Sequence, residues 1–206
     1  MSNQNHTHIT VILDRSGSME SIRDATIAGF NAFLEAQRSV PGKATLSLVQ
    51  FDSQDAYEVV HRFRSIQEVP DLTRDTFVPR DGTPLLDALG RGINDLEQRL
   101  SALADVDRPA RAIIAIITDG AENASREFTK AMIVDRIAAK RKDGWQFVFL
   151  SADLEAINEA VDLGVDRNTA FGFSKDEVGT AEGWSTLSQT TADLRRPRTR
   201  RDPSDL

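Results

Sequence analysis

The feature that most constrains this chain is a set of three short, continuous apolar runs, His8 to Leu13, Ala112 to Thr118 and Trp145 to Leu150. Each has the length of a strand and lacks the alternation of a strand with one wet face, so each demands cover on both sides. A mostly parallel sheet with helices packed on both faces provides that cover.

The segments between the runs fit this architecture. Ser18 to Arg38 places Ile22, Ile27, Phe30, Phe33 and Leu34 on one side of a helix, and Val40-Pro41-Gly42 stops it. Leu85, Leu89, Ile93, Leu96, Leu100 and Leu103 recur at intervals of four and three, which predicts an amphipathic helix. Further helices are expected over Thr129 to Arg141, Leu154 to Leu163 and Ser174 to Leu194, with a short last strand at Thr169 to Phe173. Ala44 to Phe51 and Ala56 to Phe63, joined by Asp52-Ser53-Gln54-Asp55, read as an antiparallel hairpin. The expectation is an α/β fold, a doubly wound three-layer sandwich with one antiparallel strand at the edge of its sheet.

Composition narrows the chemistry. The 206 residues are 40% hydrophobic, enough for one core, and contain no Cys and three His. Thiolate metal sites and cysteine nucleophiles are excluded, so metal ligands must be oxygens. No apolar run approaches the roughly 20 residues of a membrane span. The N-terminus lacks the basic and apolar regions of a secretory signal, and a cytoplasmic location is expected.

The net charge is −7, but Arg195, Arg196, Arg198, Arg200 and Arg201 crowd the last twelve residues against Asp202 and Asp205. Of 25 basic and 32 acidic residues, 20 and 30 remain in the body. An acidic body disfavours nucleic acid or membrane as partner. The expected organisation is a lead-in over 1–7, a domain over 8–194 and a basic, disordered tail over 195–206.

Ligands of open α/β sheets bind beyond the carboxyl ends of the strands, where the winding reverses. Three loops stand there: Asp14-Arg15-Ser16-Gly17-Ser18 after the first run, Asp81-Gly82-Thr83-Pro84 before the long helix, and Thr118-Asp119-Gly120-Ala121-Glu122-Asn123 after the Ala112 run. Singly, each reads as a helix cap or a turn. Together they deliver Asp14, Ser16, Ser18, Thr83 and Asp119, an oxygen-only set suited to a hard divalent cation, Mg²⁺ first, then Mn²⁺ or Ca²⁺. With only two carboxylates in the set, such an ion stays electrophilic towards an outside anionic oxygen. Gly17 is expected to supply the freedom the loop needs to curl between Ser16 and Ser18.

These residues resemble the metal-ion-dependent adhesion site of von Willebrand factor A domains, over about residues 6 to 194. Gly29-Phe30-Asn31 and Val49-Gln50-Phe51-Asp52 resemble the small intracellular bacterial members. The resemblance implies a six-stranded sheet in the order 3-2-1-4-5-6 with the site across strands 1 and 4. It further implies that Ser16, Ser18 and often Thr83 touch the metal, that Asp14 and Asp119 act directly or through water, and that a protein partner presents a Glu or Asp to the ion. Such partners include ATPase or stress-system components, and intracellular assembly rather than matrix adhesion is expected.

The alternative is a metal-dependent hydrolase or phosphatase built on the same cluster. A haloacid-type phosphatase needs a second Asp two residues after the first, where this chain has Ser16. A serine hydrolase needs a late His, and His6, His8 and His61 are all early. His6 and His8 read as an exposed chain start. Asp87, Glu122 and Asp153 remain as general-base candidates, with caps and charge balance as the competing roles.

Overall fold

The computed structural model describes residues 3–196. Strands β1 (Asn3–Asp14), β2 (Lys43–Phe51), β3 (Glu58–Ser65), β4 (Pro109–Thr118), β5 (Gln146–Ser151) and β6 (Ala170–Gly172) form one sheet in the order β3-β2-β1-β4-β5-β6. Every pairing is parallel except that of β2 with β3 at the edge. Helices α1 (Arg23–Ser39) and α5 (Glu177–Arg195) cover one face, and α2 (Leu85–Ala102), α3 (Lys130–Lys142) and α4 (Leu154–Asp162) cover the other.

Two cores explain why the central strands are apolar throughout. Along β4, Ile113, Ala115 and Ile117 point towards α1 and α5, while Ala112, Ile114 and Ile116 point towards α2 and α3. Burying each such side chain contributes roughly 1.5–3 kcal/mol, so β4 is anchored from both sides. The long connection between β3 and α2 is anchored too: Ile66, Val69, Leu72 and Phe77 are buried in the α1/α5 core. Asn31 on α1 clamps that connection, donating to the Leu72 carbonyl at 3.0 Å and accepting the Leu72 amide at 2.7 Å.

Element ends shift for local reasons. The helix expected from Ser18 opens instead as a 3₁₀ turn, Gly17–Ile22, before α1 begins at Arg23. Thr129 and Asp176 accept backbone N–H groups as N-caps, so α3 starts at Lys130 and α5 at Glu177. The strand β1 begins at Asn3, so most of the expected lead-in is sheet. His6 and His8 are accordingly not an exposed start: they are 2% and 0% exposed, because Thr7 and His8 pair with β2 on one side and β4 on the other. The Thr45 hydroxyl meets His6 Nε2 at 3.1 Å and His8 Nδ1 at 2.9 Å, and the His8 ring stacks on Phe63 at 3.9 Å. Arg195, expected in the tail, closes α5 and is buried, donating to the carbonyls of Gln37, Val40 and Gly42. The remaining expected tail, 197–206, lies outside the described residues.

Helices α1 and α5 meet through Trp184, which packs edge-on against Phe30 and Phe33 at 6.0 and 6.1 Å. Gly29 makes room for it, since a Cβ there would stand 2.2 Å from the indole. Gly29→Ala is therefore expected to destabilise the fold by about 1–3 kcal/mol in urea unfolding. Acid titration provides a second check. Burial, reinforced by the charges of His6 and Arg99, lowers the His8 pKa from 6.5 to about 3. The unfolded chain protonates near 6.5, so the stabilisation is complete above that pH and is lost as pH falls towards 3. Moving from about pH 7.5 to about pH 5 should cost the parent about 2 kcal/mol more than it costs His8→Gln.

Candidate metal centre

Parallel pairing of β1 with β4 sets Leu13 opposite Ile117 and brings the ends of the two strands side by side. Thr118 Oγ1 donates to Asp14 Oδ2 at 2.5 Å, and the Ser16 amide donates to Asp14 Oδ1 at 2.6 Å. The chain then turns so that Ser18 Oγ lies 3.2 Å from Ser16 Oγ and donates to Asp119 Oδ1 at 2.6 Å. Four of the five expected ligands thus form one hydrogen-bonded chain across two loops. Gly17 does this without a positive φ, contrary to the role expected of it; its amide donates to the Asp81 carbonyl at 2.8 Å.

Thr83 is buried, and its backbone is tied to the loop that follows β4. Its amide donates to Asn123 Oδ1 at 2.9 Å, and its carbonyl accepts the Asn123 amide at 3.1 Å. Two residues before it, Asp81 occupies the left-handed region at φ 55°, a conformation Asp tolerates better than most residues. Among the described residues no hydrogen bond joins the Thr83 hydroxyl to the other four expected ligands.

Sequence reasoning missed the polar shell that fixes these loops. Asp52, fully buried at the end of β2, accepts Arg15 Nε at 2.8 Å, Arg80 Nε at 2.9 Å and the amides of Gln54 and Asp55 at 2.7 and 3.0 Å. Burial alone would raise its pKa, but these donors hold the carboxyl below the usual range. Arg15, itself buried, also pairs with Glu58 at 2.6 Å, so the charge in the middle of the first loop faces away from the ligand cluster. The signal lay in Gln50 and Asp52, polar residues at the end of an apolar strand; Gln50 links Arg15 to the Thr76 carbonyl.

The three general-base candidates are all engaged in holding backbone. Glu122 accepts the amides of Leu86, Ala124 and Ser125, and Asp87 accepts those of Arg126, Glu127 and Phe128. Asp153 caps α4 through the Glu155 and Ala156 amides.

Two carboxylates remain for a ligand. Burial pushes Asp14 up to about 6, against the donors Thr118 and Ser16 and with the charge of Asp119. A cation beside such a carboxylate offsets its desolvation. Asp119 Oδ2 is buried with no hydrogen-bond donor, and the Lys175 ammonium lies 2.6 Å from it. Among the described residues no cluster of three or more His, Asp or Glu converges. The donor set is therefore two carboxylates with hydroxyls, and the buried Asp119 oxygen, already beside one cation in Lys175, fits a hard cation.

Comparison with solved structures shows the fold. The structure of a von Willebrand factor type A protein from Catenulispora acidiphila matches over 93% of this chain and 43% of its own, with TM-score 0.59 and 15% identity. The fold is that of von Willebrand factor A domains. The zinc-occupied structure of proximal thread matrix protein 1 from the mussel byssus matches with TM-score 0.62 and 13% identity, over 91% of this chain and 46% of the other. The manganese-loaded TRAP protein of Plasmodium vivax matches with TM-score 0.50 and 13% identity, over 97% and 66%. The chain spans less than half the length of the mussel and Catenulispora proteins. No family model and no curated protein matches it.

Within this von Willebrand factor A fold, Asp52 ties the first loop, through Arg15, and the approach to the second, through Arg80, to the end of β2. Asp52→Ala leaves the buried Arg15 without its buried partner and is expected to destabilise the fold by about 3–5 kcal/mol in chemical denaturation.

Proposed function

We propose that this protein is a divalent-cation-dependent protein-binding module, not an enzyme, in which Asp14, Ser16, Ser18, Thr83 and Asp119 hold the ion. The observation that carries the reading is the continuous chain Asp14, Ser16, Ser18, Asp119 at the ends of β1 and β4, with the second Asp119 oxygen buried against the Lys175 ammonium. A bound cation supplies an electrophilic position for one carboxylate oxygen of a partner.

The chain's own residues do the rest. Asp14 and Asp119 provide the negative charge, the hydroxyls add neutral oxygens, and Asp52, Glu122 and Asp87 keep the loops in place. Ser18 is the exposed member of the set, which opens the cluster on its side to solvent and to an incoming side chain. Zinc in the mussel protein and manganese in the parasite protein support a divalent ion; the hard oxygen set favours Mg²⁺ here. The partner is a protein presenting Glu or Asp, such as an ATPase or a stress-system component, within a cytoplasmic assembly. The acidic body argues against nucleic acid, and among the described residues no helix is long and apolar enough to cross a membrane.

Hydrolysis is the poorer reading of the same cluster. Asp87, Glu122 and Asp153 each accept two or more backbone amides, which occupies all three of the general-base candidates. In a thermal-shift titration, Mg²⁺ or Mn²⁺ is expected to raise the melting temperature of the parent and not of Asp14→Ala. Capture of an acidic partner from the source cell is expected to be lost with chelator. Metal-dependent turnover of a phosphoester panel, abolished by Asp119→Ala, would overturn the binding reading in favour of the hydrolase.

A further inference from the structure

The cation that the structure sets against Asp119 belongs to the chain itself. Lys175 lies between β6 and α5, in a turn fixed at both ends. Upstream, the Phe173 amide donates to the Ser151 carbonyl at 3.0 Å, which ties the turn to the carboxyl end of β5. Downstream, Asp176 caps α5 by accepting the Gly179 amide at 2.8 Å. The turn is pressed against the helix so closely that a Cβ on Gly179 would stand 2.4 Å from the Ser174 carbonyl oxygen. The lysine is thus delivered by a stapled segment.

Its contact differs from an ordinary surface ion pair, which contributes little. The Asp119 side chain is 0% exposed and Lys175 37% exposed, so a half-solvated ammonium caps a fully buried carboxylate. The oxygen it meets, Oδ2, has no hydrogen-bond donor, whereas the other, Oδ1, is taken by Ser18. Arg15, the cation within the first loop, is committed to Asp52 and Glu58.

We propose that Lys175 is an internal competitor for the divalent cation, a tethered monovalent charge that shares Asp119 with the ion and thereby weakens its binding. This rests on the metal-binding reading above. Two positive charges on one buried carboxylate repel strongly at the reduced dielectric of such a site, so the ion binds only by displacing the ammonium or tolerating it. The flexible four-carbon stem and the partial exposure of Lys175 give the ammonium a route into solvent.

The test is isothermal calorimetry with Mg²⁺ alone on the full chain, comparing the parent, Lys175→Met, Lys175→Arg and Asp14→Ala, with melting temperatures in EDTA and in Mg²⁺. Lys175→Met is expected to bind Mg²⁺ at least about tenfold more tightly than the parent, with the gain shrinking as KCl is raised. Lys175→Arg should stay near the parent. Lys175→Met should also melt lower than the parent in EDTA, where Asp119 loses its counter-charge, and recover in Mg²⁺; a purely structural lysine would lower both values. Should Lys175→Met misfold, Lys175→Gln carries the same expectation. Binding by Lys175→Met without binding by the parent would support the proposal in its strongest form. Equal or weaker Mg²⁺ binding by Lys175→Met, with loss in Asp14→Ala, would overturn the competitor and leave the metal site standing. Absence of Mg²⁺ binding in every protein would overturn both.

Discussion

The adjacency of β1 and β4 is the constraint from which the rest of the site follows. Their parallel pairing is the place where strand order reverses, with β2 and β3 running out on one side and β5 and β6 on the other. Connections on the two sides of a reversal leave the sheet towards opposite faces, which opens a crevice at the strand ends. Here α1 leaves for one face, and α3, which follows β4, lies on the other. Asp14 and Asp119 stand on the two lips of that crevice, and Thr118 Oγ1 donates directly across it to Asp14. The two cores that clamp β1 and β4 from both faces give the carboxylates a rigid support.

A second layer converts adjacency into geometry. Loops at sheet ends carry backbone amides that the ladder does not satisfy, and carboxylates accept them: Asp52 at the end of β2, Glu122 and Asp87 around the start of α2, Asp153 at the start of α4. Each of these acids is removed from chemistry by the same bonds that make it structural. What is left facing the crevice is a pair of carboxylates, a few hydroxyls and one lysine from the opposite edge of the sheet.

The fold was largely legible in sequence because its strongest signals are local and periodic. Unbroken apolar runs at 8–13, 112–118 and 145–150 mark the central strands, and the four-and-three spacing of leucines marks α2. Errors gathered where a local pattern competes with sheet pairing. His6 and His8 look like a polar chain start, yet the ladders on both sides extend the strand through them, and the Thr45 hydroxyl meets one ring nitrogen of each. Arg195 looks like the first residue of a basic tail, yet three carbonyls at the end of α1 hold it. Gly17 offers the loop a left-handed backbone angle, and the loop turns without one.

The sequence by itself determined the fold class, the two aspartates and the hydroxyls that accompany them, because hydrophobic periodicity and strand-end motifs are properties of contiguous residues. Tertiary structure alone decided which acids are free. Asp14, Asp87, Asp119, Glu122 and Asp153 are equivalent as letters, and burial with backbone amides turned three of them into caps. It also decided that Asp52 joins Arg15 of the first loop to Arg80 before the second, and that Lys175 meets Asp119 across 56 positions of chain. Those choices depend on where segments remote in sequence converge, and no local pattern encodes that.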